Sequence, residues 1–341
     1  PSSKQSAHGL AAPTHGTTKD LFVNIVPASM PGLLSDAFAW VVILTFAAGT
    51  LSVGRNDRLA RYLTVAAWVG FAAFWLQLVP HFAFVHKSYV EGLLSIVAVP
   101  ASLYTGYLLW GGRDSLYVLS RSVAVMGLLY LPFETIPAFS LLGIAVPAPR
   151  GVLMETVAAQ TGFLVDVFGY TPELIVGEQG YLNTFLFFDG DHRLTVSVVL
   201  ACTGLGSIAI FAGLIAAVKA PFRRKLRALA IAVPIIYALN LLRTTFITIV
   251  FGKQYMQWFV NEIMFLFGST DPYMVSFFIS DRIISQLLAV VVLVGITYLV
   301  VREVPELLTV VEDVLYLVTG DEYDLAAALD LERPDRGDQV A

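Results

Sequence analysis

The sequence predicts an all-α polytopic membrane protein, and three observations carry that prediction. Of its 341 residues 57% are hydrophobic, and only 14% are charged, where a soluble domain carries about a quarter. Apolar stretches of about 20 residues, enough to cross roughly 30 Å of hydrocarbon, recur along the chain. The segment 1–29 is polar, rich in Ser, Thr, His and Gly, and lacks the apolar core of a signal peptide. Met30 directly precedes the first apolar run, so translation is expected to begin there, with 1–29 an added or disordered leader.

From Met30 the expected division is a transmembrane catalytic region, 30–301, and an acidic tail, 302–341. About seven transmembrane helices are expected: Leu33–Val53, Tyr62–Phe84, Glu91–Trp110, Leu116–Leu131, Leu194–Val218, Leu226–Phe251 and Met274–Val301. Pro132, Pro137, Pro147 and Pro149 cut the fourth run short and predict a kinked or re-entrant piece after it.

Lysine and arginine in short loops set orientation. Arg55, Arg58 and Arg61 fall between spans one and two, Arg113 between three and four, and Lys219, Arg223, Arg224, Lys225 and Arg227 between five and six. Those loops are expected to be cytoplasmic. The alternate loops carry only Lys87, then Arg150 and Arg193, then Lys253, which puts the N-terminus outside and the C-terminus inside.

The long outer segment, 146–193, holds turn signals at Gly169, Pro172, Gly177, Gly180 and the DGDHR run, around the strand-like runs TPELIV and YLNTFLFF. A short surface hairpin is expected there. Gln254–Phe267 reads as an interfacial helix with Trp258 and Phe259 at headgroup level. After Arg302 the apolar positions of EVPELLTVVEDVLYLV repeat with helical spacing, which predicts an amphipathic helix on the inner face. Eleven of the 26 acids lie from Glu303 onward, so this is an acidic tail and not a nucleic-acid surface.

Ionisable groups inside apolar spans are expensive, and by default they point to function. Arg243 in ALNLLRTTFITIVF and Arg282 in VSFFISDRIISQLL stand out. The single cysteine, Cys202, lies in VLACTGLGSIAIF. Each of the three sits eight residues from the outer end of its span, about 12 Å deep at 1.5 Å per residue. A thiol and two guanidinium groups on three helices thus fall at one level.

Nearby cations favour the nucleophilic thiolate. Arginine stays charged and presents five donors in a rigid fork, suited to a thiolate or to an oxyanion forming on a carbonyl. Gly204, Gly206, Ser207, Ala209 and Gly213 would let helices approach closely, and Gly206 could leave room for an extended peptide beside the sulfur.

Taken singly, each feature has a plainer reading. Free cysteine packs as a small hydrophobe, Arg282 beside Asp281 could snorkel, and the glycines could serve packing alone. Glu134, His81, His86 and His192 read as outer-surface residues. The common depth of Cys202, Arg243 and Arg282 favours a site, directed toward the extracellular leaflet. No cysteine pair, CxxC, HExxH or Cys/His cluster is present, so neither a metal nor a cofactor is expected.

The motifs ACTGLGS, LNLLRTTF and SDRIISQ, on the last three spans, resemble those of the exosortase and archaeosortase family, a likeness extending from about Met30 to Val301. The resemblance implies an integral membrane cysteine transpeptidase, sortase-like in chemistry but not in fold. Its substrates would be secreted proteins with a C-terminal tripartite signal: a short motif, Pro-Gly-Phe in one branch of the family, then a transmembrane helix, then a basic cluster. It further implies removal of that helix and coupling of the new C-terminus to a membrane phospholipid as acyl acceptor. The family's nucleophile falls on Cys202 and its conserved arginine on Arg243. Arg282 stands where many exosortases carry histidine, which leaves the proton acceptor open.

A transporter or channel is the alternative, since it too would keep membrane arginines. A heptahelical photoreceptor would need a Schiff-base lysine in the last span, which has none, and neither GxSG nor GxGD of other intramembrane proteases occurs.

Overall fold

The computed structural model describes residues 32–80, 89–141 and 143–328. The leader 1–29, His81, His86, Lys87 and the end of the acidic tail lie outside the described residues. Helices α1 (Gly32–Leu51), α2 (Asp57–Pro80), α3 (Tyr89–Trp110) and α4 (Leu116–Thr135) form the first four spans. They are joined at one end by the short connections that carry Arg55 and Arg113. In an apolar solvent, helix association depends on close packing and cross-helix hydrogen bonds. Both appear here: Trp68 Nε1 donates to Ser120 Oγ at 2.9 Å and Trp40 Nε1 to Thr135 Oγ1 at 3.0 Å. Phe46 is fully buried against the edge of the Trp68 ring.

α4 runs past the expected end at Leu131 and carries Pro132 inside its last turn. Strands β1 (Phe139–Leu141) and β2 (Ile144–Val146) make a small hairpin, and α5 (Pro149–Val167), absent from the sequence reading, begins with Pro149 in its first turn, where a missing N–H costs nothing. Glu134, expected to be solvated, is paired with Arg150 at 2.9 Å.

The hairpin expected within 146–193 is present and larger than expected. β3 (Glu173–Val176) pairs antiparallel with β4 (Leu182–Asp189), and β4 pairs with β5 (His192–Ser197). The fifth predicted span, Leu194–Val218, is therefore corrected: its first residues are the third strand of this sheet. The physical reason lies in HRLTVS, whose alternating and β-branched residues present a strand face. Leu194 and Val196 join Phe185 and Phe187 in a core against Val157 and Ala158 of α5.

The helical remainder of that span, α6 (Leu205–Ala217), is shorter than a spanning helix. Then follow α7 (Phe222–Gly252), α8 (Val260–Phe267) and a composite last helix, Pro272–Glu303. That helix opens as a 3₁₀ turn and one α turn, α9 (Val275–Phe277), widens into a π segment (Phe278–Ser285), and continues as α10 (Gln286–Glu303). Among the described residues six helices, α1, α2, α3, α4, α7 and this composite, are long and apolar enough to cross a membrane. The expected interfacial helix is shorter than Gln254–Phe267, because Gln254 and Phe259 both take positive φ and break its first half.

Past a 3₁₀ turn at Pro305–Leu307, α11 (Leu308–Thr319) and the short α12 (Leu325–Ala328) complete the described chain. α11 buries two acids, Glu312 and Asp313. The described acids of the tail meet the loop arginines: Asp313 binds Arg113 at 3.0 Å, Glu303 binds Arg227 at 3.1 Å, and Glu306 binds Arg224. Arg224 and Arg227 lie on the first turns of α7, not in a loop. Cations there face the positive end of a helix dipole, and the tail carboxylates offset that cost.

Arg121 is a third arginine inside a predicted span. It donates to the carbonyl of Ala217 at 3.1 Å, capping α6 from α4.

Gly213 on α6 packs on α4 so closely that a Cβ would fall 2.7 Å from the Ser122 carbonyl oxygen. Gly213→Val is expected to destabilise the bundle by about 1–3 kcal/mol through overpacking, read as a lowered midpoint of thermal unfolding in detergent.

Candidate active site

Cys202 sits at the junction of the three-stranded sheet and α6, not within a membrane helix as its apolar surroundings suggested. The sheet continues one residue past β5: Val198 N donates to the Asn183 carbonyl at 2.8 Å, and Asn183 Nδ2 donates back to the Val198 carbonyl at 2.8 Å. Val199 is extended, and Leu200–Thr203 then close a 3₁₀ turn in which Cys202 N donates to Val199 O at 2.8 Å. Thr203 Oγ1 donates to Leu200 O at 2.7 Å. Gly204, at φ 77°, reverses the chain into α6. An L side chain at that φ is strained, and a Cβ there would also lie 3.3 Å from Asn240 Cβ. Glycine is required at 204 by conformation and by space.

The glycines thus divide into two kinds. Gly204 and Gly213 are needed for close approach, whereas a Cβ on Gly206 would meet nothing within 4 Å. Cys202 itself is half-buried.

A 3₁₀ turn leaves carbonyls without helical partners, and α7 supplies them. Asn240 Nδ2 donates to the carbonyl of Cys202, and the hydroxyl of Thr244, whose hydrogen is shared with the Asn240 carbonyl at 3.0 Å, lies 3.3 Å from the same oxygen. They lie four residues apart and so share one face of α7. Tyr237, on the same face, donates to Gln160 of α5 at 2.5 Å. Sheet, turn, α5 and α7 are thereby joined around Cys202, whose side chain packs on the core formed by Phe185, Ile247, Phe251 and Phe277.

Arg243, one residue before Thr244, reaches the last helix. Its Nη2 donates to Asp281 Oδ1 at 2.5 Å, and Arg282 Nε lies 3.6 Å from Asp281 Oδ2. The first is a charge-assisted hydrogen bond, while the second is an ion pair beyond hydrogen-bond range. Asp281 is buried. Its backbone belongs to the π segment, a feature frequent at functional sites, where Ser285 Oγ donates to the Ser280 carbonyl at 2.7 Å. Asp281 thus faces Arg243 of α7, with Arg282 next to it in the same π segment. Burial pushes the Cys202 thiol above its ordinary value; the nearby Arg243 and Arg282 act against that rise, and Asp281 adds to it.

Cys202, Arg243 and Arg282 therefore meet in one region, drawn from three chain segments. Sequence reasoning missed Asp281, Asn240 and Thr244. The signal for Asp281 was present, since the rule that an ionisable group in an apolar span points to function applies to a carboxylate as well as to an arginine. Nothing in the sequence marks Asn240 or Thr244 beyond their positions three before and one after Arg243. His192 stays at the exposed surface, its ring 4.5 Å from that of Tyr273.

These features describe a multi-pass helical membrane protein with a charged site buried near one end of its bundle. The chain matches the family model for transmembrane exosortases (Exosortase_EpsH) over residues 33–274, and it belongs to that family of membrane-embedded processing enzymes. It is 75% identical to archaeosortase A of Haloferax volcanii over 303 residues, 89% of this chain and all of the relative. It is 45% identical to archaeosortase A of Natronomonas pharaonis over 296 residues, 84% of this chain and 90% of that protein. The family match includes Cys202 and Arg243 and ends before Asp281. No solved structure matches the chain.

The two glycines beside the turn give a paired prediction. Gly204→Ala is expected to cost about 1–2 kcal/mol from its left-handed backbone, whereas Gly206→Ala is expected to leave thermal stability within about 0.5 kcal/mol. Melting curves of the two variants side by side check this.

Proposed function

We propose that the chain is a membrane cysteine transpeptidase that removes the C-terminal transmembrane segment of secreted proteins and couples the new C-terminus to a membrane lipid. The observation that carries this reading is the placement of the only thiol, half-buried, on a strand–turn–helix junction with two arginines close enough to act on it. The nucleophilic serine of an unrelated hydrolase fold is presented on a comparable sharp turn between strand and helix. The names of both relatives, archaeosortase A, support a sorting role, as does the resemblance of the three motifs.

In this mechanism the Cys202 thiolate attacks the carbonyl carbon that precedes the scissile bond, and a C–S bond forms. The guanidinium of Arg243 stabilises first the thiolate and then the tetrahedral oxyanion, where preorganised donors are worth most. Arg282 orients the substrate carbonyl or shares that charge. As the oxyanion collapses, the C–N bond breaks and the amine leaves with a proton from solvent, which gives a thioester. A lipid headgroup nucleophile, or water where lipid is absent, attacks the thioester, releases its proton to solvent, and restores the thiolate. Burial pushes the Cys202 thiol up, and Arg243 and Arg282 act against that rise, so the thiol gives its proton to solvent as the thiolate forms beside the guanidinium groups. The substrates are proteins ending in a Pro-Gly-Phe-type motif, an apolar helix and a basic cluster, entering from the extracellular leaflet.

Cys202→Ala is expected to abolish trimming of such a substrate in cells, read as retention of the full-length form on a gel. Normal trimming in that variant would remove the assignment. Arg243→Lys keeps the charge and loses the fork, and it is expected to lower kcat by about 10²–10³-fold, the loss typical of one oxyanion donor. Single-turnover cleavage in detergent measures it.

A further inference from the structure

We infer that Asp281 is a positioning residue for this reaction, its carboxylate holding the two guanidinium groups in register with Cys202; the inference rests on the transpeptidase reading above. Asp281 contacts Arg243 across the helix interface at 2.5 Å and its own neighbour Arg282 at 3.6 Å. One carboxylate thus touches both arginines that face the thiol. With Asp281 in place, the three groups carry one net positive charge, matched to a single thiolate or a single oxyanion. Without it, two guanidiniums on adjacent helices would confront each other in a site that screens charge poorly.

The local fold is built to hold the carboxylate there. The π segment holds both Asp281 and Arg282, and buried serines occupy backbone groups around it: Ser280 Oγ donates to Ser276 O, Ser285 Oγ to Ser280 O, and Met256 N donates to Ser276 Oγ. The Phe277 ring lies 5.9 Å from the Arg282 guanidinium and flanks it. Arg243 has an independent anchor, because Asn240 and Thr244 on either side of it are tied to the Cys202 carbonyl. Asp281 is therefore the link between the half of the site on α7 and the half on the last helix.

The test uses full-length protein in proteoliposomes with a reporter ending in Pro-Gly-Phe, an apolar helix and a basic tail. Asp281→Asn is expected to lower kcat about 100-fold, the order of loss for misplacing a reacting group by about 1 Å, with KM changed less than about threefold. Alkylation of Cys202 by iodoacetamide supplies a second readout that a merely structural residue would not move. Loss of a negative charge beside the thiol shifts the alkylation rate profile to lower pH even as turnover falls. Asp281→Glu keeps the charge and is expected to retain at least about a tenth of wild-type turnover with an unshifted profile. Because it preserves the ion pairs, it also serves if Asp281→Asn fails to fold.

Wild-type turnover in folded Asp281→Asn, an unshifted alkylation profile in that variant, or a folded Asp281→Glu as inactive as Cys202→Ala would each overturn the inference. Retained turnover in Cys202→Ala would instead overturn the transpeptidase reading itself, so the two failures are distinct.

Discussion

The carbonyl oxygen of Cys202 is the joint on which the site depends. In the turn that carries the thiol this oxygen has no helical partner, and an unsatisfied backbone group away from water costs several kcal/mol. Asn240 and Thr244 meet that need from α7. Because they flank Arg243 on the same helix, satisfying the carbonyl also fixes where the guanidinium stands relative to the sulfur. The sheet matters for the same reason. The exchange of backbone and side-chain bonds between Asn183 and Val198 feeds the strand into the turn at one defined place.

The two ends of the bundle use charge differently. At one end arginines of a short connection and of the start of α7 meet the acids of the tail, with Asp313 and Glu306 largely buried against Arg113 and Arg224. Those pairs seat α11 and α12 against a core that includes Val118, Ile215 and Val300. At the other end charge is concentrated on Arg243, Asp281 and Arg282, beside a thiol. A buried ion pair is weak evidence for stability, since desolvation can cancel its Coulomb energy. Its retention near Cys202 is better explained by chemistry, and the proposed oxyanion gives it a purpose.

The spans were legible because hydrocarbon thickness imposes a length and because apolar composition is read directly from residues. The common level of Cys202, Arg243 and Arg282 was inferred from the same arithmetic, which for Cys202 assumed a helix from Leu194 where the chain is strand and turn. Leu194–Ser197 misled because a strand buried against α5 and a membrane helix share an apolar composition over so short a run. α5 went unseen because its residues alternate between apolar and polar without a strong stripe, and its burial comes from partners distant in sequence: the sheet and α7. Asp281 illustrates a different limit. Its presence was visible, but its role as the contact between two arginines requires the π segment, a backbone irregularity that no residue pattern in FISDRIIS announces.

The central claim is that Cys202 carries the substrate as a thioester between cleavage and lipid transfer. Intact-mass analysis of the full-length protein, quenched in acid during turnover of the tripartite reporter, tests it most directly. The account predicts an adduct on the peptide containing Cys202, equal in mass to the reporter without its C-terminal helix and released as a hydroxamate by hydroxylamine. Turnover with no such adduct under slow-acceptor conditions, or an adduct on any other residue, would contradict it.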